Sequence, residues 1–372
     1  MRKKYVFTVF PTSFLCIIIK LKTVSEYLSA GGFVLPAVHS GVFPASFDPV
    51  CIEHIRFSLK KIKSDSLDRI FLVLQSPRTG QAMHASEDDR WKMLVAASSV
   101  SKALVPLRPD NPAEADTMDK ACRLVQSIFP GDFLLPLPYE EKSADHLFSS
   151  LSEDHQDDLN PAVWEYCSLH SLYGCDRSSF PEASEWTDRL FNTLTPHRFA
   201  HSLAVALTAR HLAQRNGVNA LKAEKAGLLH DCAKCYSLQD MQDIAKSRNL
   251  TEDPMFLNSA ALLHSVVGAS VAGEVYHIAD PEILEAIAVH NTGIPGMSRL
   301  SMCVCLADYI EPTRAPFPGL EEIRALAGLS LEKALLLSLE HTADHVLSTG
   351  KSLHPLTLNT AAWLRTLPAA KV

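Results

Sequence analysis

The sequence lacks an excess of positive charge: its formal charge is -7 at neutral pH. That gives no whole-chain support to non-specific nucleic-acid binding and leaves small anionic ligands open. It also lacks the second half of a four-cysteine zinc site. Cys232 and Cys235 have redox or zinc spacing, but the other close pair, Cys303 and Cys305, has one residue between its members and matches poorly. The nine cysteines are an odd number, scattered along a chain too long to need disulfide staples, and are expected to be small side chains in a reducing, cytoplasmic setting. A membrane-spanning run is missing too. The apolar stretch Tyr5 to Ile19 follows Arg2-Lys3-Lys4 and is broken by Pro11, and it falls short of the ~20 residues a span needs. No small-x-small cleavage site follows directly, so residues 1–33 are set apart as a leader of undecided status and no membrane partner is expected. There is no internal repeat.

The chain does have the composition of folded globular protein, with 47% hydrophobic and 21% charged residues. Its 372 residues favour a two-domain reading. From about Leu35 strands and helices alternate. An apolar approach ends at Gly41-Val42-Phe43, a turn runs from Pro44 to Pro49, and a helix is expected from about Cys51. A second strand is readable at Arg69 to Leu74, Ser86 caps a helix through Trp91 and Val95, and short apolar runs follow near Ala103 to Leu107 and Phe133 to Leu137. This alternation implies a parallel-sheet α/β domain over 34–176. Residues 177–194, with Ser178-Ser179, Pro181 and several charges, read as a junction. From 195 to 372 only the helical period is found.

Within the first domain, Ser46-Phe47-Asp48-Pro49 ahead of Glu53-His54 resembles the opening of the nicotinate-nucleotide adenylyltransferase family. Ser86, Arg90 and Met93, and the stretch Pro161 to Tyr166 with Leu172-Tyr173, are similar to later parts of that family. The resemblance implies a nucleotidyltransferase-like, Rossmann-like sheet. The departures fall on the chemistry. Cys51 stands where the family's first motif histidine belongs, Glu53 replaces a glycine, and Pro44-Ala45 replaces a glycine pair. His54 alone remains of the two histidines that stabilise triphosphate charge, and Cys51 has no imidazolium to offer. The expected Arg-containing phosphate clamp is unrecognisable in Phe148 to Leu159. Ser46, Asp48, Cys51 and His54 therefore form a degenerate site, and adenylyl transfer is expected to be lost. The bland alternative for His54 is a helix-surface histidine.

In the second domain His201, the pair His230-Asp231, His264, His290 and Asp308 each sit in apolar surroundings, where an unpartnered ionisable group is costly. The first helix runs from about His197 to Asn216 with Gly217 as its stop. A second begins near Asn219 and ends on His230-Asp231. His264 is read as opening a third helix, His290 closes the helix begun at Pro281, and Asp308 lies on a helix capped by Ser298. One such histidine is most simply a satisfied core residue. Six groups of this kind point to a metal site whose imidazole and carboxylate donors suit iron, manganese, zinc or nickel. Lys234 and Arg314 are candidates for neutralising phosphate charge, and the turn Asn291-Thr292-Gly293 for holding phosphate or base. The alternatives are solvated surface cations and a plain helix stop.

The pattern resembles the HD-domain metal-dependent phosphohydrolases, and within them the bacterial symmetrical bis(5'-nucleosyl)-tetraphosphatases. The residues that carry it are His201-Ser202-Leu203, Leu228 to Lys234, His264 with Gly268, His290 to Ser298, and Leu306 to Pro312 with Arg314. The resemblance implies an all-α HD domain holding two divalent ions, iron foremost. His201, His230, Asp231 and Asp308 would serve one ion, and His264 and His290 the other, with Asp231 bridging and taking part in catalysis alongside Lys234. It also implies hydrolysis of diadenosine tetraphosphate to two ADP. The expected partner is a small-molecule nucleotide, with no nucleic acid and with a homodimer left open. HD chemistry on another nucleotide, and a nucleotide-sensing or scaffold protein with little turnover, are the competing readings.

Overall fold

The computed structural model describes residues 38–76, 83–139, 158–174 and 180–368. The leader expected at 1–33 and most of Phe148 to Leu159 lie outside them. The described chain divides into two compact units, Met1–Ala200 and His201–Val372. The described cysteines are all free thiols. No helix among the described residues is long and apolar enough to cross a membrane.

The first unit is built on four parallel strands in the order β3-β2-β1-β4: β1 (His39–Ala45), β2 (Arg69–Leu74), β3 (Leu104–Leu107) and β4 (Phe133–Pro136). β2 is a nearly continuous apolar run, and β1 and β2 are both buried along most of their length, because a parallel sheet buries both faces. Register places Val42 beside Phe71 and Phe43 beside Leu72. Helix α1 (Ile52–Ser64) follows β1, α2 (Glu87–Ser98) follows β2, and α3 (Met118–Ile128) packs Leu124, Val125 and Ile128 against Val42, Phe71, Val73 and Val105. Ser86 caps α2 as the sequence implied, its hydroxyl accepting from the Asp89 amide at 3.1 Å. Helix α4 (Pro161–Leu169) completes the part that resembles the adenylyltransferases.

The stretch expected as a junction contains helix α5 (Ala183–Thr193), with Trp186, Thr187 and Leu190 buried. Lys92, itself buried on α2, pairs with Asp188, and His170 lies 2.7 Å from the Thr187 hydroxyl. The charges that made this stretch look like a linker are the outer face of an amphipathic helix.

The described part of the second unit is wholly helical, and its boundary falls inside α6 (Pro196–Arg215). Then come α7 (Ala220–Leu229), a 3-10 turn (Cys232–Cys235), α8 (Leu238–Ser247), the short α9 (Pro254–Leu257), α10 (Ala260–Val275), α11 (Pro281–Val289), α12 (Arg299–Ile310), α13 (Leu320–Ala327), α14 (Leu331–Ser348) and α15 (Pro355–Leu364). Asn219 caps α7, Asp280 with Pro281 starts α11, and Ser298 caps α12. One expectation needs correction. His264 does not open its helix, because α10 begins at Ala260: Ala260-Ala261-Leu262-Leu263 are strong helix formers and add a full turn ahead of it.

Candidate functional site

Five helices bring the six ionisable residues of the second unit together. His201 comes from α6, His230 and Asp231 from the end of α7, His264 from α10, His290 from the end of α11, and Asp308 from the last turn of α12. All are buried except Asp308, whose side chain keeps a quarter of its exposure. Among the described residues two sets of three bring one donor atom from each residue within 4.8 Å of one another: His201, His230 and Asp308, and His230, Asp231 and His290. The His264 ring completes the cluster, with its Nε2 3.2 Å from Asp231 Oδ1 and 3.1 Å from His290 Nε2.

Backbone hydrogen bonds decide which nitrogen of each ring is offered. Carbonyl oxygens can only accept, so the Nδ1 of His230, 2.7 Å from Gly227 O, and the Nδ1 of His290, 2.7 Å from Ile287 O, carry the protons. His264 is turned the same way, with Nδ1 3.3 Å from Ala260 O. Each Nε2 lone pair then points into the cluster.

That arrangement fits a cation. Among the described residues His230 Nε2 is buried with no hydrogen-bond partner, and its nearest charged atoms there are Asp231 Oδ2 at 3.7 Å and Asp308 Oδ1 at 3.8 Å. A nitrogen lone pair facing two carboxylate oxygens is repulsive unless positive charge stands among them. The two Nε2 atoms of His264 and His290 present the same difficulty. Asp231 divides its oxygens, Oδ2 towards His230 and Oδ1 towards His264 and His290. The donors are nitrogen and carboxylate oxygen, which suits a borderline divalent metal.

The electrostatics follow from burial and pairing. Burial opposes charge on Asp231, yet the neighbouring imidazoles of His230 and His264 and the Lys234 ammonium hold its carboxyl well below the usual range. Asp308 is likewise held low against the effect of burial, by His201, His230 and Arg314. Burial lowers His264 and His290 to about 4, helped by the neighbouring rings, so both are neutral donors at neutral pH. His201 behaves differently: burial would lower it, but hydrogen bonds to Asp308 and Glu311 push it up to about 9.

The candidate phosphate groups are placed unequally. Lys234 Nζ lies 3.9 Å from Asp231 Oδ1 at the edge of the cluster. Arg314 folds back because α12 ends before Pro312; it donates from Nη2 to Asp308 Oδ1 at 2.6 Å and to the Asp308 carbonyl at 2.7 Å. Asn291 donates to the Ala261 carbonyl, and the buried Thr292 hydroxyl lies 3.0 Å from Gly293 O, to which it donates. Gly293, at φ +62°, is pressed against Thr360 of α15, whose methyl carbon would lie 2.7 Å from an added Cβ.

Glu311 was missing from the sequence-based site. It is buried, its Oε1 accepts from His201 Nδ1 at 3.0 Å, and its Oε2 accepts from the amide and hydroxyl of Thr313. Its spacing of three from Asp308 was the available signal, since i and i+3 share a helix face.

In the first unit, the loop after β1 places Ser46, Asp48, Cys51 and His54 at the carboxyl end of the sheet, where parallel α/β folds bind ligands. The Ser46 carbonyl accepts from the buried Arg90 at 2.6 Å. Asp48 accepts from the amides of His84 and Ala85 and from the Tyr173 hydroxyl at 2.6 Å. Cys51 is the N-cap residue of α1, and its amide donates to His54 Nδ1 at 2.9 Å. His54 is not a surface residue: Phe43, Phe47 and Tyr139 surround its ring with centroids 5.1–6.0 Å away. Tyr139 is remote in sequence, so helical spacing gave no sign of this. Glu53 is exposed and paired with Arg56 one turn on.

Comparison with known proteins gives a family match and several relatives. The family model of the HD domain matches residues 198–313. A Bacillus subtilis protein named symmetrical bis(5'-nucleosyl)-tetraphosphatase is 37% identical over 171 residues, 46% of this chain and 91% of that one. A Mycoplasma genitalium protein named probable nicotinate-nucleotide adenylyltransferase/Ap4A hydrolase is 27% identical over 82% of this chain and 98% of its own length. A crystal structure from Clostridium acetobutylicum, titled a predicted HD superfamily hydrolase involved in NAD metabolism, is 38% identical, covers 49% of this chain and 95% of that one, and has a TM-score of 0.47.

Proposed function

This chain belongs to the symmetrical bis(5'-nucleosyl)-tetraphosphatase family, and from that premise we propose that its helical unit hydrolyses dinucleoside tetraphosphates, diadenosine tetraphosphate giving two ADP. The observation that carries the reading is the orphaned His230 Nε2 facing carboxylate oxygens of Asp231 and Asp308. Two divalent ions, iron foremost and manganese, zinc or nickel as alternatives, would be held by His201, His230, Asp231 and Asp308 on one side and by His264 and His290 on the other, with Asp231 shared. The divided oxygens of Asp231 support that sharing. When bound, such ions lower the pKa of water and polarise the phosphate under attack.

The remaining work falls to the chain's own groups. Lys234, at the edge of the cluster, neutralises phosphate charge next to Asp231. Arg314 meets substrate by releasing Asp308 or by extending the donor row that it already forms on that residue. Asn291, Thr292 and Gly293 shape the turn beside His290 and bound the substrate there.

The first unit keeps the fold of a nucleotidyltransferase and has lost its transfer chemistry. A cysteine at the N-cap of α1 and a histidine enclosed by aromatic rings supply little of the charge stabilisation that adenylyl transfer needs. The deciding test for the second unit is a nucleotide panel with product identification on the metal-loaded full chain. Two ADP from diadenosine tetraphosphate is the expected result; ATP plus AMP, or turnover confined to other nucleotides, overturns the assignment.

A further inference from the structure

Four histidines present Nε2 to the cluster, and three of them are held from behind by carbonyls of their own helices: Gly227 O behind His230, Ala260 O behind His264 and Ile287 O behind His290. His201 is the exception. Behind its ring stands the carboxylate of Glu311, with Oε1 3.0 Å from Nδ1.

We propose that Glu311 is the positioning residue for His201, holding the Nδ1 proton so that the Nε2 lone pair is offered, on the Asp308 side, to the ion that the preceding reading places there. The inference rests on that reading. Glu311 is fixed for the task at three points. Its Oε2 accepts from the Thr313 amide at 2.6 Å and from the Thr313 hydroxyl at 2.7 Å, and its own carbonyl accepts from Arg324 Nη2 at 2.7 Å. The side chain is buried, so neither water nor a second rotamer competes for Nδ1.

A carboxylate behind a ligating imidazole does more than a neutral carbonyl. It fixes the tautomer, and its charge makes the opposite nitrogen a stronger donor. The ion served by His201, which already has the larger donor set, is therefore held more tightly than it would be without Glu311, and the ion served by His264 and His290 gains nothing from it.

The test is a metal-binding titration of the full chain, stripped of metal and then titrated with zinc alone against a chromophoric chelator. Glu311→Gln keeps the size of the side chain and removes its charge. It should weaken the tighter class of site about 10- to 100-fold and leave the weaker class within a factor of about two. Thr313→Ala removes one of the two donors on Oε2 and should move the same class in the same direction by less; it decides the matter if Glu311→Gln does not fold. Unchanged affinity in the folded variant overturns the inference, as does a lowered melting temperature of the metal-free protein with affinity untouched, which marks a purely structural role. A wild-type chain that takes up no metal overturns the parent reading as well, so the two failures are distinguishable.

Discussion

A methyl group on Gly227 would stand 3.0 Å from the Cα of Ala206. Helices α6 and α7 thus meet backbone to backbone one turn before His230, and the carbonyl of the same glycine holds the His230 ring at 2.7 Å. Gly227→Ala forces the helices apart and should destabilise the second unit by about 1–3 kcal/mol, the usual cost of overpacking. Because the displaced carbonyl carries His230 with it, metal content should fall too. Thermal unfolding together with elemental analysis of the purified variant checks both.

Asp231 is the residue whose two oxygens face different histidines, so its removal affects the whole cluster. Asp231→Ala should purify with less than a tenth of the wild-type metal and show no hydrolysis of diadenosine tetraphosphate. Full activity in this variant would refute the site.

Lys234 approaches Asp231 without belonging to either donor group. Lys234→Met should therefore keep close to its wild-type metal content while kcat/KM falls about 10- to 150-fold, the range of a lost charge-assisted hydrogen bond of about 1.5–3 kcal/mol. Steady-state kinetics on samples of known metal content separate this from a loss of metal.

His170 provides a pH dependence in the first unit. Burial holds it below its ordinary value; Asp89 pulls against that and Lys92 adds to it. The native ring stays neutral where the unfolded one takes up a proton, so its contribution is complete above about pH 6.5 and is lost as the pH falls below that value. Replacing it as His170→Gln should flatten the difference in melting temperature between pH 7 and pH 5 relative to wild type. Parallel curves for the two proteins would contradict this.

The aromatic enclosure of His54 leads to a prediction for the other unit. The full chain carrying Asp231→Ala, so that hydrolysis does not interfere, should form no dinucleotide from ATP and nicotinate mononucleotide when the products are separated chromatographically. Ready formation would show that transfer chemistry survives without the first motif histidine.

Much of this was legible because local rules and global fold agree. Strand β2 has the limits that its apolar run implied, and Ser86, Asn219 and Ser298 cap the helices they precede. The six cluster residues could be picked out because ionisable groups on apolar helix faces need a reason. Contacts formed by chain reversal were not legible. Arg314 reaches Asp308 only because the helix stops before Pro312, Glu311 reaches His201 across 110 positions, and His54 is buried partly by Tyr139. Helix α5 was hidden for another reason: Pro181 and its charges read as a linker until Trp186 and Leu190 are seen to be buried.

The contact between Gly293 and Thr360 bears on the order of assembly during synthesis. The turn that follows His290 rests on α15, and α15 is in turn fastened at its start by His354, whose Nε2 lies 3.1 Å from Asp253. A nascent chain has made all six cluster residues well before α15 emerges, and until then the turn beside His290 has its bond to Ala261 but not the Thr360 side of its packing. Packing on this side of the cluster thus waits for a helix made after all six of its residues.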